Sequence, residues 1–180
     1  MQPRTILNTK GFDLTINRLC HQLIENHGNF SNTALVGIQP RGTFLAQRIK
    51  KRLCKILGKN DLQIGAIDPT FSRDDFRRRK HPILPKSTNM EFIVEDKNVV
   101  LIDDVLFTGR TVRAGLDEIL AYGRPAKVEL LVLIDRRFSR QLPIEPNYVG
   151  KTIDSIKTEK INSCKNKRGK RVERIPGFVG

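Results

Sequence analysis

Val99-Val100-Leu101-Ile102-Asp103-Asp104-Val105-Leu106-Phe107-Thr108-Gly109-Arg110-Thr111 is the stretch whose reading decides the fold. Asn98–Ile102 is a short run of branched apolar residues, which reads as a buried strand. Asp103–Arg110 reads as a loop. From Thr111 to Tyr122 the spacing predicts a helix with Val112, Leu116, Ile119 and Leu120 on one face, stopped by Gly123-Arg-Pro125. The stretch thus delivers two carboxylates into a loop that opens a helix. Backbone N–H groups at a helix start, helped by the dipole, attract anions. Gly109 lets the backbone approach a phosphate closely. The hydroxyls of Thr108 and Thr111 add donors, and Arg110 adds charge. The spacing is not that of the G-x-x-x-x-G-K-[ST] phosphate loop. Taken alone, the acidic pair also suits a magnesium site in a receiver-like or nucleotide-hydrolysing domain.

Working outward, Asp13–Asn26 places Ile16, Leu19, Cys20, Leu23 and Ile24 on one helical face. Ala34–Ile38 reads as a second buried strand, followed by the loop Gln39-Pro-Arg-Gly42. Phe44–Leu57 repeats apolar residues at Leu45, Ile49, Leu53 and Ile56, which predicts a helix ended by Gly58. Leu62–Ile67 and Val128–Ile134 are further strands. Residues 68–98 are polar and basic and contain Pro69, Pro82 and Pro85. That stretch is too long for a plain connection, and Glu91–Val94 within it suits a short hairpin strand. Beyond Asp135 only Tyr148-Val149 reads as extended. Strands alternating with helices predict an α/β fold with a mostly parallel central sheet and helices on both faces. Ligands in such sheets bind at the carboxyl ends of the strands. Three polar loops fall there: Gln39–Gly42, Asp103–Thr111 and Asp135–Arg140.

The chain has 180 residues, 38% of them hydrophobic, which suits one domain with one core. No apolar window is long enough to span a membrane, and no export signal opens the sequence. Cys20, Cys54 and Cys164 match neither a zinc spacing nor a disulfide framework, so reduced thiols and a cytoplasmic protein are expected. The net charge of +14 is concentrated in Arg73–Lys80 and in the tail from Lys157 to Arg174. Such a field attracts polyanions, and a phosphorylated small substrate and RNA are both candidates.

The thirteen residues Val99–Thr111 together resemble, without a gap, the signature of the type I phosphoribosyltransferases for 5-phosphoribosyl-1-pyrophosphate (PRPP). Val36-Gly-Ile38 through Arg41-Gly42 resembles that family's pyrophosphate loop, and Asp68–Asp75 the base of its lid. Thr108–Gly115, Gly123-Arg-Pro125, Leu142-Pro-Ile144 and Tyr148-Val-Gly-Lys151 narrow the resemblance to the pyrimidine operon attenuator and uracil phosphoribosyltransferase (PyrR) family. It runs from about Ile6 to Lys160.

The resemblance implies a type I phosphoribosyltransferase fold with a small hood and a mobile lid loop. Residues 1–180 would form a single domain, with the lid in 68–98 and the hood and basic tail in 135–180. It implies transfer of ribose from PRPP to uracil in pyrimidine salvage, giving UMP and pyrophosphate, with Mg2+ held by Asp103 and Asp104 mostly through substrate and water. Those two aspartates are the expected catalytic pair. The expected PRPP contacts are Gln39, Pro40, Arg41, Gly42, Arg73, Asp103, Asp104, Val105, Leu106, Phe107, Thr108, Gly109, Arg110 and Thr111. Phe107 stands where relatives acting on 6-oxopurines carry a carboxylate, which favours a pyrimidine. Ile134, Asp135, Arg136 and Ile161 are expected around the base.

The family also binds an mRNA hairpin in response to uridine nucleotides, and it forms dimers and larger rings. Arg18, His21, Arg137 and Arg140 are the expected RNA contacts. A regulator without catalysis, or transfer to another base, are the competing expectations. The chain departs from the family pattern in two places. Asp135-Arg-Arg-Phe-Ser-Arg-Gln-Leu-Pro-Ile144 is one residue longer than the usual D-R-G-H-R-E-L-P-I and lacks its histidine. The tail after Lys160 replaces an alternating apolar strand with a basic run, which predicts a hood strand that is short or absent.

Overall fold

The computed structural model describes residues 4–69, 89–154, 159–166 and 169–176. In chain order it contains β1 (Arg4–Leu7), α1 (Thr9–His27), β2 (Thr33–Ile38), α2 (Arg41–Leu57), β3 (Gln63–Ile67), β4 (Asn98–Leu106) and α3 (Arg110–Leu120). Then come β5 (Lys127–Arg136), a 3-10 turn (Arg137–Ser139), β6 (Tyr148–Ile153), β7 (Glu159–Asn166) and β8 (Gly169–Pro176). Strands β3-β2-β4-β5-β6 form a five-stranded sheet, parallel throughout. This is the expected α/β architecture.

Alternation of side chains along β4 splits the core between the two faces. Val100 and Ile102 join Leu35, Leu131 and Leu133 beneath Ile16, Leu19 and Leu23 of α1 and Leu45, Ile49 and Leu53 of α2. Val99 and Leu101 join Val36, Ile38 and Val132 beneath Val112 and Ile119 of α3. Each large side chain buried this way contributes about 1.5–3 kcal/mol. Cys20 lies in the first layer, where burial pushes its thiol up to about 12. It is a core group. No helix among the described residues is long and apolar enough to cross a membrane.

Four local expectations are corrected. Strand β4 does not stop at Ile102. Asp103, Val105 and Leu106 stay in register with Val132, Ile134 and Asp135 of β5, so ladder pairing carries the strand through the acidic pair. Glu91–Val94 forms no strand. Only Asn89 pairs, as a single bridge to Ala66. Val94 is held instead by burial and by its N–H, which donates to the Tyr122 carbonyl at 2.9 Å. Tyr148–Ile153 is a full edge strand rather than a two-residue extension, because β5 supplies its partner. Finally, the tail does not lose its strands. β7 and β8 form an antiparallel hairpin and β1 pairs with β8, giving a separate three-stranded sheet from both ends of the chain.

Strand order reverses between β2 and β4: β2 leads through α2 to β3 on one side, while β4 leads through α3 to β5 on the other. The crevice at the carboxyl ends of β2 and β4 is therefore the switch point where ligands of such sheets bind.

Candidate active site

Two helices begin at this crevice, and neither N-cap residue, Pro40 or Gly109, offers a capping side chain; at α3 the Arg110 N–H makes only a long 3.4 Å bond to Thr108 Oγ1. Helix α2 starts after Pro40 and α3 after Gly109, and neither carries an acidic residue in its first turn. By contrast α1 is capped by Asn8, whose Oδ1 accepts from the Gly11 N–H at 2.8 Å. The positive ends of α2 and α3 thus face the same edge of the sheet without a built-in anion, which is the arrangement that receives phosphate.

Glycines make the close approach possible. A Cβ on Gly42 would strike the Ile102 carbonyl oxygen and meet Asp103 Cα at 3.2 Å. Only glycine lets the first turn of α2 lie on the end of β4. That contact brings Arg41 to Asp104, with Nε 3.2 Å from Oδ2. Gly109 has φ of 90°, a conformation natural to glycine, and a Cβ there would meet Ile144 Cδ1 at 3.2 Å and Leu142 Cβ at 3.4 Å.

The acidic pair lies at the centre of the crevice. Asp103 and Asp104 are both buried, at 8% and 6% exposure. Asp103 Oδ1 accepts the Asp104 N–H at 2.8 Å. Burial, and after it the neighbouring Asp104 charge, push the Asp103 carboxyl well above the usual carboxylate range, with Arg41 opposing only in part. A cation placed against the pair would relieve that repulsion. No group of three or more His, Cys, Asp and Glu side chains gathers among the described residues. Two carboxylates without further protein ligands suit a hard cation that draws its other oxygens from substrate phosphate and water, as magnesium does.

On the other flank stands the segment after β5. Ile134 is fully buried and ends that strand's core run. Arg136, 5% exposed, lies over the Phe107 ring with its guanidinium carbon 4.1 Å from the centroid. Arg140 donates to the Phe107 carbonyl at 2.7 Å and also to Asp135 Oδ1. Arg110 Nε donates to Gln141 Oε1 at 2.8 Å, and the Thr108 carbonyl accepts from the Gln141 and Leu142 N–H groups.

The expected site residues from Gln39 to Gly42, from Asp103 to Thr111 and from Ile134 to Arg136 therefore meet at one edge. Val105 is half-buried and Leu106 buried; both face core layers, so only their backbones are on offer. Arg73 lies outside the described residues. Ile161 lies in β7, in the small sheet. Of the expected RNA contacts, His21 and Arg137 are exposed. Arg18 also lies on the surface, but its guanidinium donates to the Val149 and Gly150 carbonyls at 2.9 and 2.6 Å, tying α1 to β6. Residues Gln141, Leu142 and Ile144 escaped the sequence reading as parts of the site. Leu142-Pro-Ile144 was visible only as a family motif.

Residues 4–165 match the family described as Phosphoribosyl transferase domain. The chain is 41% identical to Bifunctional protein PyrR of Desulfosudis oleivorans over 90% of each chain. It is 40% identical to the Bacillus subtilis protein of the same name, over 89% of this chain and 88% of that one. Among solved structures, a hypoxanthine-guanine phosphoribosyltransferase of Bacillus anthracis superposes with a TM-score of 0.71 at 18% identity, over 97% of this chain and 99% of that chain. The last likeness speaks for the fold alone, but the relatives speak for the lineage: the chain belongs to the PyrR family of type I phosphoribosyltransferases.

Proposed function

We propose that this phosphoribosyltransferase transfers the 5-phosphoribosyl group of PRPP to uracil. Uracil N1 bonds to the ribose C1 as the bond from C1 to pyrophosphate breaks, and the N1 proton is released. The single observation that carries this reading is the buried Asp103–Asp104 pair set between two helix starts whose first turns carry no acidic residue.

The ribose passes through an oxocarbenium-like state, so the protein's task is to position the partners and hold separating charge. Asp103 and Asp104 face the ribose and favour its developing positive charge. Thr108, Gly109, Arg110 and Thr111 take the 5′-phosphate at the start of α3. Gln39, Pro40, Arg41 and Gly42 take the leaving pyrophosphate at the start of α2, where Arg41 is already drawn in by Asp104. Asp103 and Asp104 would hold magnesium mostly through substrate and water, and the ion would supply charge neutralisation for the phosphates and the leaving group. Arg73, outside the described residues, is the contact that the family resemblance assigns to keeping water from the activated sugar. The base lies along the edge made by Phe107 and the segment Ile134–Arg136, with Ile161 as the remaining proposed base contact. Phe107 has no proton to exchange with an imidazole edge, and its ring already pairs with Arg136, which suits a pyrimidine.

The test is direct. The protein, PRPP and magnesium are offered uracil, cytosine, orotate, hypoxanthine and guanine, and products are separated by chromatography. UMP formed in preference to every other nucleotide is the expected result. Turnover of a purine but not of uracil overturns the base assignment, and no nucleotide from any base overturns catalysis.

A second reading rests on the net charge of +14 and on relatives named bifunctional. We propose that the cytoplasmic protein, as a homo-oligomer, also binds an mRNA hairpin in a UMP-responsive manner, with His21 and Arg137 at the contact. Phosphate contacts dominate such affinity, so it falls steeply with salt. Equal binding of the hairpin and a scrambled RNA, with or without UMP, removes this reading.

A further inference from the structure

The segment after β5 grips the phosphate loop at several points, and one side chain joins that grip to the base side of the site. Asp135, next to last in β5, lies opposite Leu106 of β4. The turn Arg137–Ser139 follows, and beyond it the Arg140 side chain meets Asp135, five residues back. From there Arg140 spends both terminal nitrogens at once, one on Asp135 Oδ1 and one on the Phe107 carbonyl. A guanidinium presents two donors in a fixed fork, so the distance between these acceptors is set by a rigid plane. Just beyond, Gln141 and Leu142 hold the Thr108 carbonyl through their N–H groups, and Gln141 holds Arg110. Ser139 is not part of the grip: its hydroxyl is buried and has no hydrogen-bond partner among the described residues.

We propose that Arg140 is a positioning residue for the transfer reaction. It fixes the Phe107 carbonyl, which leads directly into the Thr108–Thr111 loop that receives the 5′-phosphate, relative to Asp135, which borders the base. It acts through those groups rather than on the substrate. The assignment rests on the phosphoribosyltransferase reading above and changes what Arg140 is for. Its side chain is only 19% exposed and both donating nitrogens are committed, so it is poorly placed to meet RNA phosphates. Because one end of this link leads into the phosphate loop and the other borders the base, breaking it loosens both substrates together. Small misplacements of reacting groups are costly, on the order of a hundred-fold for 1 Å.

The experiment compares wild type with Arg140→Ala, Arg140→Lys and Ser139→Ala. Arg140→Ala is expected to raise KM for PRPP and for uracil together by about ten-fold, with a smaller loss in kcat. Arg140→Lys should recover part of the loss, and added guanidinium ion should restore Arg140→Ala toward wild type at a concentration that leaves its melting temperature unchanged. Ser139→Ala should match wild type. Wild-type KM values for both substrates in Arg140→Ala, or a loss confined to kcat, overturn the proposal. Should Arg140→Ala fail to fold, Arg140→Lys decides by the same criterion. Calorimetric binding of PRPP with magnesium reads the link without turnover. A wild type that makes no UMP therefore sinks the uracil reading alone, whereas unchanged PRPP affinity in the variants sinks this one.

Discussion

Glu129 lies near the amino end of β5 and Asp103 near the carboxyl end of β4, both buried in the same sheet. The protein treats them in opposite ways. At Glu129, burial alone would raise the carboxyl. Hydrogen bonds from Lys127 and Tyr148, together with His27, bring it below its ordinary value. His27 Nε2 sits 2.8 Å from Oε2, and the Tyr148 hydroxyl donates to the same oxygen at 3.1 Å while accepting from Asn26 at 2.9 Å. Thr33 closes the far side of the imidazole at 3.2 Å from Nδ1. With Nε2 toward Glu129 and Nδ1 toward Thr33, both ring nitrogens of His27 are engaged in this network. At Asp103 the surroundings raise the carboxyl instead, through burial and a second carboxylate. A buried charge that its neighbours satisfy holds structure together. One that its neighbours frustrate marks a place where something else is meant to bind.

The sharpest way to break this contrast is to neutralise each carboxylate. Asp103→Asn and Asp104→Asn should lower kcat for UMP synthesis by about a hundred-fold or more, the scale of losing one electrostatic partner of a transition state. Asp103→Asn also removes a repelled buried charge, so its melting temperature should hold or rise. A variant that loses activity and stability in parallel would mean the pair is structural after all.

Glu129→Ala should show the reverse profile. It leaves the buried His27 and Tyr148 donors without their shared acceptor, and an unsatisfied buried donor costs about 1–3 kcal/mol. Urea unfolding measures the loss, while kcat/KM of the remaining folded protein should stay near wild type. Substantial loss of turnover at full stability would show that the two ends of the sheet are not independent.

The same network gives a pH dependence with a definite sign. Burial, partly opposed by Glu129, lowers the His27 pKa from 6.5, so the unfolded chain takes up this proton at a higher pH than the folded one. Stability from this group is complete above pH 6.5 and is lost as pH falls through the folded value. Glu129, lowered from 4.5, adds a second loss in the same direction at more acid pH. Melting temperature measured from pH 8 downward should therefore begin to fall near 6.5, and His27→Asn should flatten the first part of that fall. An unchanged curve in that variant would remove His27 from the account.

Sequence made one of these two ends readable and not the other. The Val99–Thr111 stretch is local: strand, carboxylates, loop and helix start are consecutive, so their meeting needs no knowledge of the rest of the chain. Helix and sheet periodicity gave the central sheet for the same reason. The Glu129 network draws on α1, β2, β5 and β6, and nothing in the spacing of His27, Glu129 and Tyr148 announces that they touch. Pairing also outranked local pattern twice, in carrying β4 through two aspartates and in making β-strands of a basic tail whose partner, β1, lies at the opposite end of the chain. Arg140 shows the limit most clearly. A charged residue in a basic loop reads as surface until its two acceptors, one of them 33 residues away, are seen.

Arg18 sets the smallest test and separates two uses of a surface cation. Its guanidinium meets the Val149 and Gly150 carbonyls at the edge of the sheet. Hydrogen bonds in such an exposed place contribute about 1 kcal/mol. If Arg18 serves the α1–β6 contact, Arg18→Ala should lower the melting temperature by a few degrees, and hairpin affinity should stay as it was. His21→Ala, on the exposed face of the same helix, should leave the melting temperature unchanged. RNA affinity lost in Arg18→Ala at full stability would show instead that those carbonyls only park a side chain that leaves to meet phosphate.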